Sequence, residues 1–382
     1  MRLKSFLLLG LVVVLFSTAA RAGLTFVLTP AVQSGARSNE VVFTGILSNT
    51  SLASNLFLND IQVIFVGAET NFLTADTNTF FANVPGILLP GETYSDVVFG
   101  VTIKPATPPG DYFGSVSVLG GSNIFAAANL SSQTFQVSSP AIRISATNAN
   151  AYRFGAQPGS FAVTRIGATN VDLAANFLIG GTAGNGVDYS SIANSITIPA
   201  GSVSATITVA PLETGVVEGD RTVVLTLLNA PAYNLAAPTN ATVTIHDTPF
   251  NAWRLAEFGT NANNGAVSGD FADPDGDGIV NLLEYALNLN PSVTSTAGLP
   301  APHIDPSCGC LTITYTKVIA AIDLIYSAEA ADAPGGPWST NGITQAVVAS
   351  DSLTQTIQAG DAGNPISTTT NRFMHLKIAR RP

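Results

Sequence analysis

Most of this chain alternates apolar and polar residues with a period of two. In SVSVLG, Val116 and Val118 fall on one face and Ser115 and Ser117 on the other. In VSATITVAPL, Val203, Ala205, Ile207 and Val209 alternate with Ser204, Thr206 and Thr208. That is the period of a half-buried strand. The runs VVFTGILSN, DIQVIFVG, DVVFGVTIK, DYFGSVSVLGG and TFQVSS read as strands, separated by the turn clusters LPGETYS, KPATPPGD and GGSN. Turn signals spaced about 8–12 residues apart predict an antiparallel sandwich. RTVVLTLLNA and ATVTIHD continue the period, as do LTITYTK, DLIYSAEA, TQTIQAG and RFMHLKIA near the end. The predicted fold class is therefore mostly β. One β-sandwich spans 23–139, a linker lies at Ser138–Pro140, a second sandwich spans 141–248, and a C-terminal β domain spans 300–382.

The period changes between residues 250 and 292. In NAWRLAEFG, Trp253, Leu255 and Phe258 line one side of a predicted short helix closed by Gly259. Leu282, Leu283, Ala286, Leu287 and Leu289 form the apolar face of a second helix, which Asn290-Pro291 would stop. Before that helix stands DPDGDGIVNLLE, Asp273–Glu284, an acidic concentration in a chain with 10% charged residues. Asp273, Asp275 and Asp277 occupy positions 1, 3 and 5 of a 12-residue loop, and Gly278 takes the sharp turn at 6. Ile279 offers its carbonyl at 7, Asn281 stands at 9 and Glu284 supplies two oxygens at 12. Every ligand slot of an EF-hand calcium loop carries a suitable residue type. The bland alternative is a solvated acidic turn capping a helix. The predicted entry helix ends about fourteen residues before Asp273 and the loop occurs once, so a paired sensor is not expected.

Composition points outside the cell. The first 22 residues have a basic start at Arg2 and Lys4, an apolar run of eleven residues from Phe6 to Phe16 and a small-x-small site at Ala20-Arg21-Ala22. This is the layout of a cleaved secretory signal peptide, with an uncleaved anchor as the alternative. No later segment is long and apolar enough to span a membrane, so the mature chain is expected to be secreted or held at the cell surface. Removing residues 1–22 leaves 12 basic against 25 acidic side chains, a net charge of −13. That argues against a nucleic-acid partner and for divalent cations. Cys308 and Cys310, in PSCGCLT, are too few for zinc; a bond between them requires a turn at Gly309.

Several stretches carry resemblances. FFANVPGILLPGETY and PPGDYFGSVSVLGG resemble immunoglobulin-like domains of bacterial exported proteins. GSFAVTRIG, GGTAGNGVDYS, SITIPAGSVSATITVAPL, VVEGDRTVVLTL and NATVTIHD, in that order, resemble a Calx-beta domain. That resemblance implies calcium held by acids at one end of the sandwich, here Asp188, Glu218, Asp220 and Asp247. Two departures stand out: AYRFGAQ lacks the glutamate usual in the first strand, and the closing strand ends HDTP without further acids. The Asp273 loop resembles the calcium loop-plus-helix of dockerin-like and thrombospondin type 3-like repeats. With AWRLAEFG and the last strands, it resembles a C-terminal module of exported environmental bacterial proteins.

An enzyme is not expected. G-x-S-x-G, H-E-x-x-H and G-x-x-x-x-G-K are absent from the sequence. His246, His303 and His375 read as surface or turn residues, and Glu218 with Asp220 lie in a predicted turn. The expected function is a calcium-binding modular protein mediating adhesion to cell-surface or matrix polymers or proteins. The alternative is a carbohydrate-binding or enzyme-accessory protein, which needs Tyr112, Phe113, Trp253 and Trp338 exposed as a platform.

Overall fold

The computed structural model describes residues 23–67, 69–366 and 371–381. The expected signal peptide, 1–22, lies outside the described residues. The chain is mostly β, built from successive pairs of sheets.

The first pair uses β1 (Leu24–Leu28), β2 (Val32–Ser34), β3 (Glu40–Asn49), β4 (Leu56–Phe65), β5 (Leu73–Asp76), β6 (Ile87–Leu88), β7 (Thr93–Ile103), β8 (Gly110–Gly121) and β9 (Ala128–Ser139). The sheets run β1-β3-β7-β5 and β2-β9-β8-β4-β6. Alternation sets the core: Val116 and Val118 of β8 are fully buried, while Ser115 and Ser117 on the other face are partly exposed. Phe43 and Phe99 stack at 4.7 Å, with Phe135 against both. A short helix, α1 (Asn78–Asn83), enters where only strands were expected. It buries Phe80 and leaves Phe81 exposed.

The second pair uses β10 (Ala141–Asn148), β11 (Asn150–Tyr152), β12 (Gly159–Ile166), β13 (Leu173–Gly181), β14 (Ser195–Ile198), β15 (Ser204–Val209), β16 (Arg221–Leu227), β17 (Asn234–Leu235) and β18 (Asn240–His246). Its sheets run β15-β12-β10-β17 and β11-β18-β16-β13-β14. Ile207 and Val209 point into the core, whereas Val203, just before β15, is exposed. The expected linker is a tight junction: β9 ends at Ser139, β10 starts at Ala141, and Pro140 between them is buried. Ala36 N–H bonds to Pro231 O at 2.8 Å and Asn39 Nδ2 to the same oxygen at 3.0 Å, tying the two sandwiches together.

Helices follow: α2 (Pro249–Phe258), α3 (Gly265–Ser268) and α4 (Asn281–Leu287). Thr248 caps α2 and Gly259, at φ 51, ends it. The buried anchor of α2 is Phe250, with Trp253 stacked on it at 5.4 Å; Leu255, expected on that face, is exposed. Asn288, in the left-handed conformation, ends α4 two residues before the expected stop. These helices join the last strands through shared cores: Phe250, Leu282, Tyr285 and Ala286 pack with Ala321 and Leu324, and Leu287 packs with Ile313, Tyr315 and Ile357.

The last strands are β19 (Ala301–Asp305), β20 (Cys310–Val318), β21 (Leu324–Ala331), β22 (Ile343–Ser350), β23 (Thr354–Asp361) and β24 (Phe373–Arg380). They form the sheet β19-β20-β23-β22 and the pair β21-β24. The edge strands β19 and β22 were not expected; both are largely exposed, so burial imposes no alternation on them. Cys308 and Cys310 are bonded, with Cα atoms 5.2 Å apart and Gly309 at φ 60 making the required turn.

Candidate metal centre

The Asp273 loop is fastened at both ends. Asn281 donates its side-chain amide to the carbonyls of Val267 and Gly269, each at 2.9 Å. Its backbone N–H bonds to Ala272 O at 2.9 Å, and Leu282 N–H bonds to Asp270 O at 3.0 Å. The start of α4 is thereby held against the segment after α3. That four-residue helix, unforeseen in the sequence, gives the loop a short entry turn.

Asp273 organises the backbone within. Its Oδ1 accepts from Gly276 N–H at 2.9 Å and Asp277 N–H at 3.2 Å, and its Oδ2 from Gly278 N–H at 2.9 Å. These bonds, the Gly278 amide foremost, hold its carboxyl below the usual range. Gly276 and Gly278 sit at φ 75 and 89, where a side chain costs about 1–2 kcal/mol. Ile279 buries its side chain and donates to Asp277 Oδ1 at 2.7 Å. Ser295 N–H reaches back to Asp277 Oδ2 at 2.7 Å. Carboxylate oxygens of Asp273, Asp275 and Asp277 lie within 4.8 Å of one another.

Donors then run out. Among the described residues, eight buried side-chain nitrogen or oxygen atoms have no hydrogen-bond partner, and four belong to this loop: Asp275 Oδ2, Asn281 Oδ1 and both carboxylate oxygens of Glu284. All four are acceptors, at positions 3, 9 and 12. A buried polar atom without a partner costs about 1–3 kcal/mol, so four together call for a positive charge. Glu284 is fully buried; burial first, then Asp275, Asp277 and Asp273, pushes its carboxyl up to about 7. An all-oxygen set with this much negative charge fits calcium.

A network missed in the sequence carries the loop into the C-terminal strands. Asp323 accepts from Tyr285 Oη at 2.8 Å and from Phe250 N–H at 3.0 Å. Arg380 of β24 reaches Asp323 at 3.4 Å and Asp270 at 3.0 Å, and lies 3.8 Å over the Phe250 ring. Burial and then Asp323 push the Tyr285 hydroxyl up, so it stays a donor. No local sequence pattern pairs residues this far apart.

The second sandwich holds the other acids. Asp188, Glu218 and Asp247 converge, but on Arg153: its Nη2 lies 2.6 Å from Asp188 Oδ1 and 2.7 Å from Glu218 Oε2, and its Nη1 lies 3.8 Å from Asp247 Oδ1. Asp220 does not join them; it pairs with His246 Nδ1 at 2.8 Å. Here the oxygens have donors. Asp188 Oδ2 accepts from Gly184 N–H at 2.7 Å, and Glu218 Oε1 faces Arg221 at 3.4 Å. Asp247 Oδ1 accepts from Thr248 N–H and Asn251 Nδ2, and Oδ2 from Glu218 and Gly219 N–H. Burial pushes Asp188 up, but the Gly184 amide, Glu218 and the charges of Arg153 and Arg221 together hold it below the usual range. These residues do not fit a metal ion as they stand. Arg153 was missed; the signal that could have found it is AYRFGAQ, which carries an arginine and no acid.

The histidines have partners: His246 with Asp220 and Asn150, His303 with Gln358 and His375 with Glu329. The aromatic platform is not assembled. Tyr112 is buried with its hydroxyl on Pro108 O, and Trp253 packs against Phe250 and Tyr285. Phe113 is exposed on β8, and Trp338 stacks on His375 at 3.8 Å.

No family model and no curated protein matches the chain. Among solved structures it is similar to an apo-form Calx CBD1 domain, at 23% identity over 28% of this chain and 96% of that one, with a TM-score of 0.24. It is also similar to CBD12 from CALX1.2, at 12% identity over 63% of this chain and 82% of that one, TM-score 0.27. The D0–D1 domain of Intimin is 13% identical over 59% of this chain and 99% of that one, TM-score 0.20. Likenesses this low carry no argument about what the chain does.

Proposed function

We propose that the chain is an exported or cell-surface modular protein, without catalytic activity, in which calcium firms the junction between the second sandwich and the C-terminal strands. The four donorless buried oxygens at Asp275, Asn281 and Glu284 carry this reading. Bound calcium would supply positive charge to them and to Asp273, Asp277 and the Ile279 carbonyl. The protein's part is positioning: Asp273 curls the loop, Asn281 ties it to the turn after α3, and Tyr285 and Arg380 connect it to the final strands. On the other side, Asn263 and Val217 exchange two bonds of 2.8 Å, joining the helices to the second sandwich. A fixed junction suits a modular chain that presents β-sandwiches for adhesion to cell-surface or matrix polymers or proteins. No described helix is long and apolar enough to cross a membrane. The carbohydrate-platform alternative loses two of its four aromatics to the interior.

Calcium that binds only the folded chain stabilises it by mass action, by about 2.7 kcal/mol at a hundredfold excess over Kd. A chelator is expected to lower the melting temperature of the full chain, and Asp273→Ala with Glu284→Ala to abolish that response. A melting temperature indifferent to chelation would sink the proposal.

A further inference from the structure

The two acidic constellations differ in one respect that the sequence hides. The loop has oxygens without donors; the end of the second sandwich has a guanidinium among its carboxylates. Arg153 is fully buried at its side chain, as is Asp247, with Asp188 nearly so and Glu218 half-buried at the rim. Carboxylates removed from water need a compensating charge. Here it comes from the same chain, one residue after β11, and Arg221 adds a second charge at the rim.

We infer that Arg153 is the built-in cation of this end of the sandwich, occupying the place a divalent ion would need, so that these carboxylates are held together without metal. Three observations converge. Arg153 Nη2 bridges Asp188 and Glu218 at 2.6 and 2.7 Å, a spacing that leaves no room for an ion between those oxygens. The remaining oxygens accept from the Gly184, Glu218, Gly219 and Thr248 amides and from Arg221 and Asn251. Arg153 Nε and Nη1 have no hydrogen-bond partner, so the guanidinium is held by its two Nη2 bonds and by the charge of Asp247 beside Nη1. The cluster also holds the junction, because Asp247 binds Asn251 of α2 and the Glu218 turn adjoins the Val217–Asn263 bonds. The junction accordingly has two fastenings, an internal cation on the sandwich side and a loop open to calcium on the other. Removing the guanidinium leaves Asp188, Glu218 and Asp247 converging with nothing between them, a latent divalent-cation site.

The test uses the full chain with the loop disabled by Asp273→Ala and Glu284→Ala, so that the fate of the loop proposal does not enter. With Arg153 present, adding calcium is expected to leave the melting temperature unchanged. With Arg153→Gln, which keeps the stem and two donors, calcium should raise it by several degrees, and a further Asp188→Asn should remove that gain. With Arg153→Ala, a chain too unstable to show a cooperative melt in chelator should recover one in calcium. A calcium response while Arg153 is in place, or none in either Arg153 variant, overturns the inference.

Discussion

Glu284→Gln should stabilise the metal-free protein while ending its response to calcium. Folding takes the Glu284 carboxyl from 4.5 to about 7, chiefly by burial and then by the three aspartates. At about 1.4 kcal/mol per pKa unit, keeping it ionised above pH 7 costs the native state at most about 3.5 kcal/mol. The aspartates are partly exposed, and solvent screening brings the expected cost to about 2 kcal/mol. The sign follows from linkage. A carboxyl raised by folding binds its proton more tightly in the native state, so its favourable contribution is complete below about 4.5, is lost as pH rises through about 7, and stays lost above. Glutamine has the same size and no charge to desolvate. In chelator, urea unfolding should find Glu284→Gln more stable than wild type by about 2 kcal/mol near pH 8, with the gap closing near pH 5. Equal stability at the higher pH, or a less stable variant, would show that the buried Glu284 charge does not cost the native state stability.

Other substitutions probe the frame. Phe250→Ala removes a buried ring that packs against Trp253, Tyr285 and Arg380, and should cost about 3–5 kcal/mol by denaturant unfolding. Gly278→Ala places a side chain at φ 89 and should weaken calcium binding roughly tenfold in a titration, since 1.4 kcal/mol is one decade. Replacing Cys308 and Cys310 by Ser opens a very short loop and should lower stability by only about 1–2 kcal/mol in thermal melts.

Local patterns were legible where burial on one face enforced them. The alternation around Val116 and Val118 marked β8 because that strand lies over a core, whereas β22 is exposed along most of its length and carries no such signature. The convergence of Asp273, Asp275 and Asp277 was legible because these acids and the turn glycines lie within twelve consecutive residues. The Calx-beta resemblance located Asp188, Glu218 and Asp247 at one end, but Asp220 turned to His246 and the cation came from Arg153. Arg153 lies 35 residues from Asp188 and 65 from Glu218, so only the fold brings them together. The Tyr285–Asp323–Arg380 network was hidden for the same reason. Phe250 was overlooked because the helix was read from Asn251, one residue past its main anchor.

The proposed site for calcium is the Asp273–Glu284 loop and not the end of the second sandwich, and calorimetric titration of the full chain with calcium distinguishes the two. One ion per chain is expected, lost in Asp273→Ala with Glu284→Ala and retained in Asp188→Asn. Calcium binding that survives the loop substitutions and disappears with Asp188→Asn would place the ion at the end of the second sandwich instead.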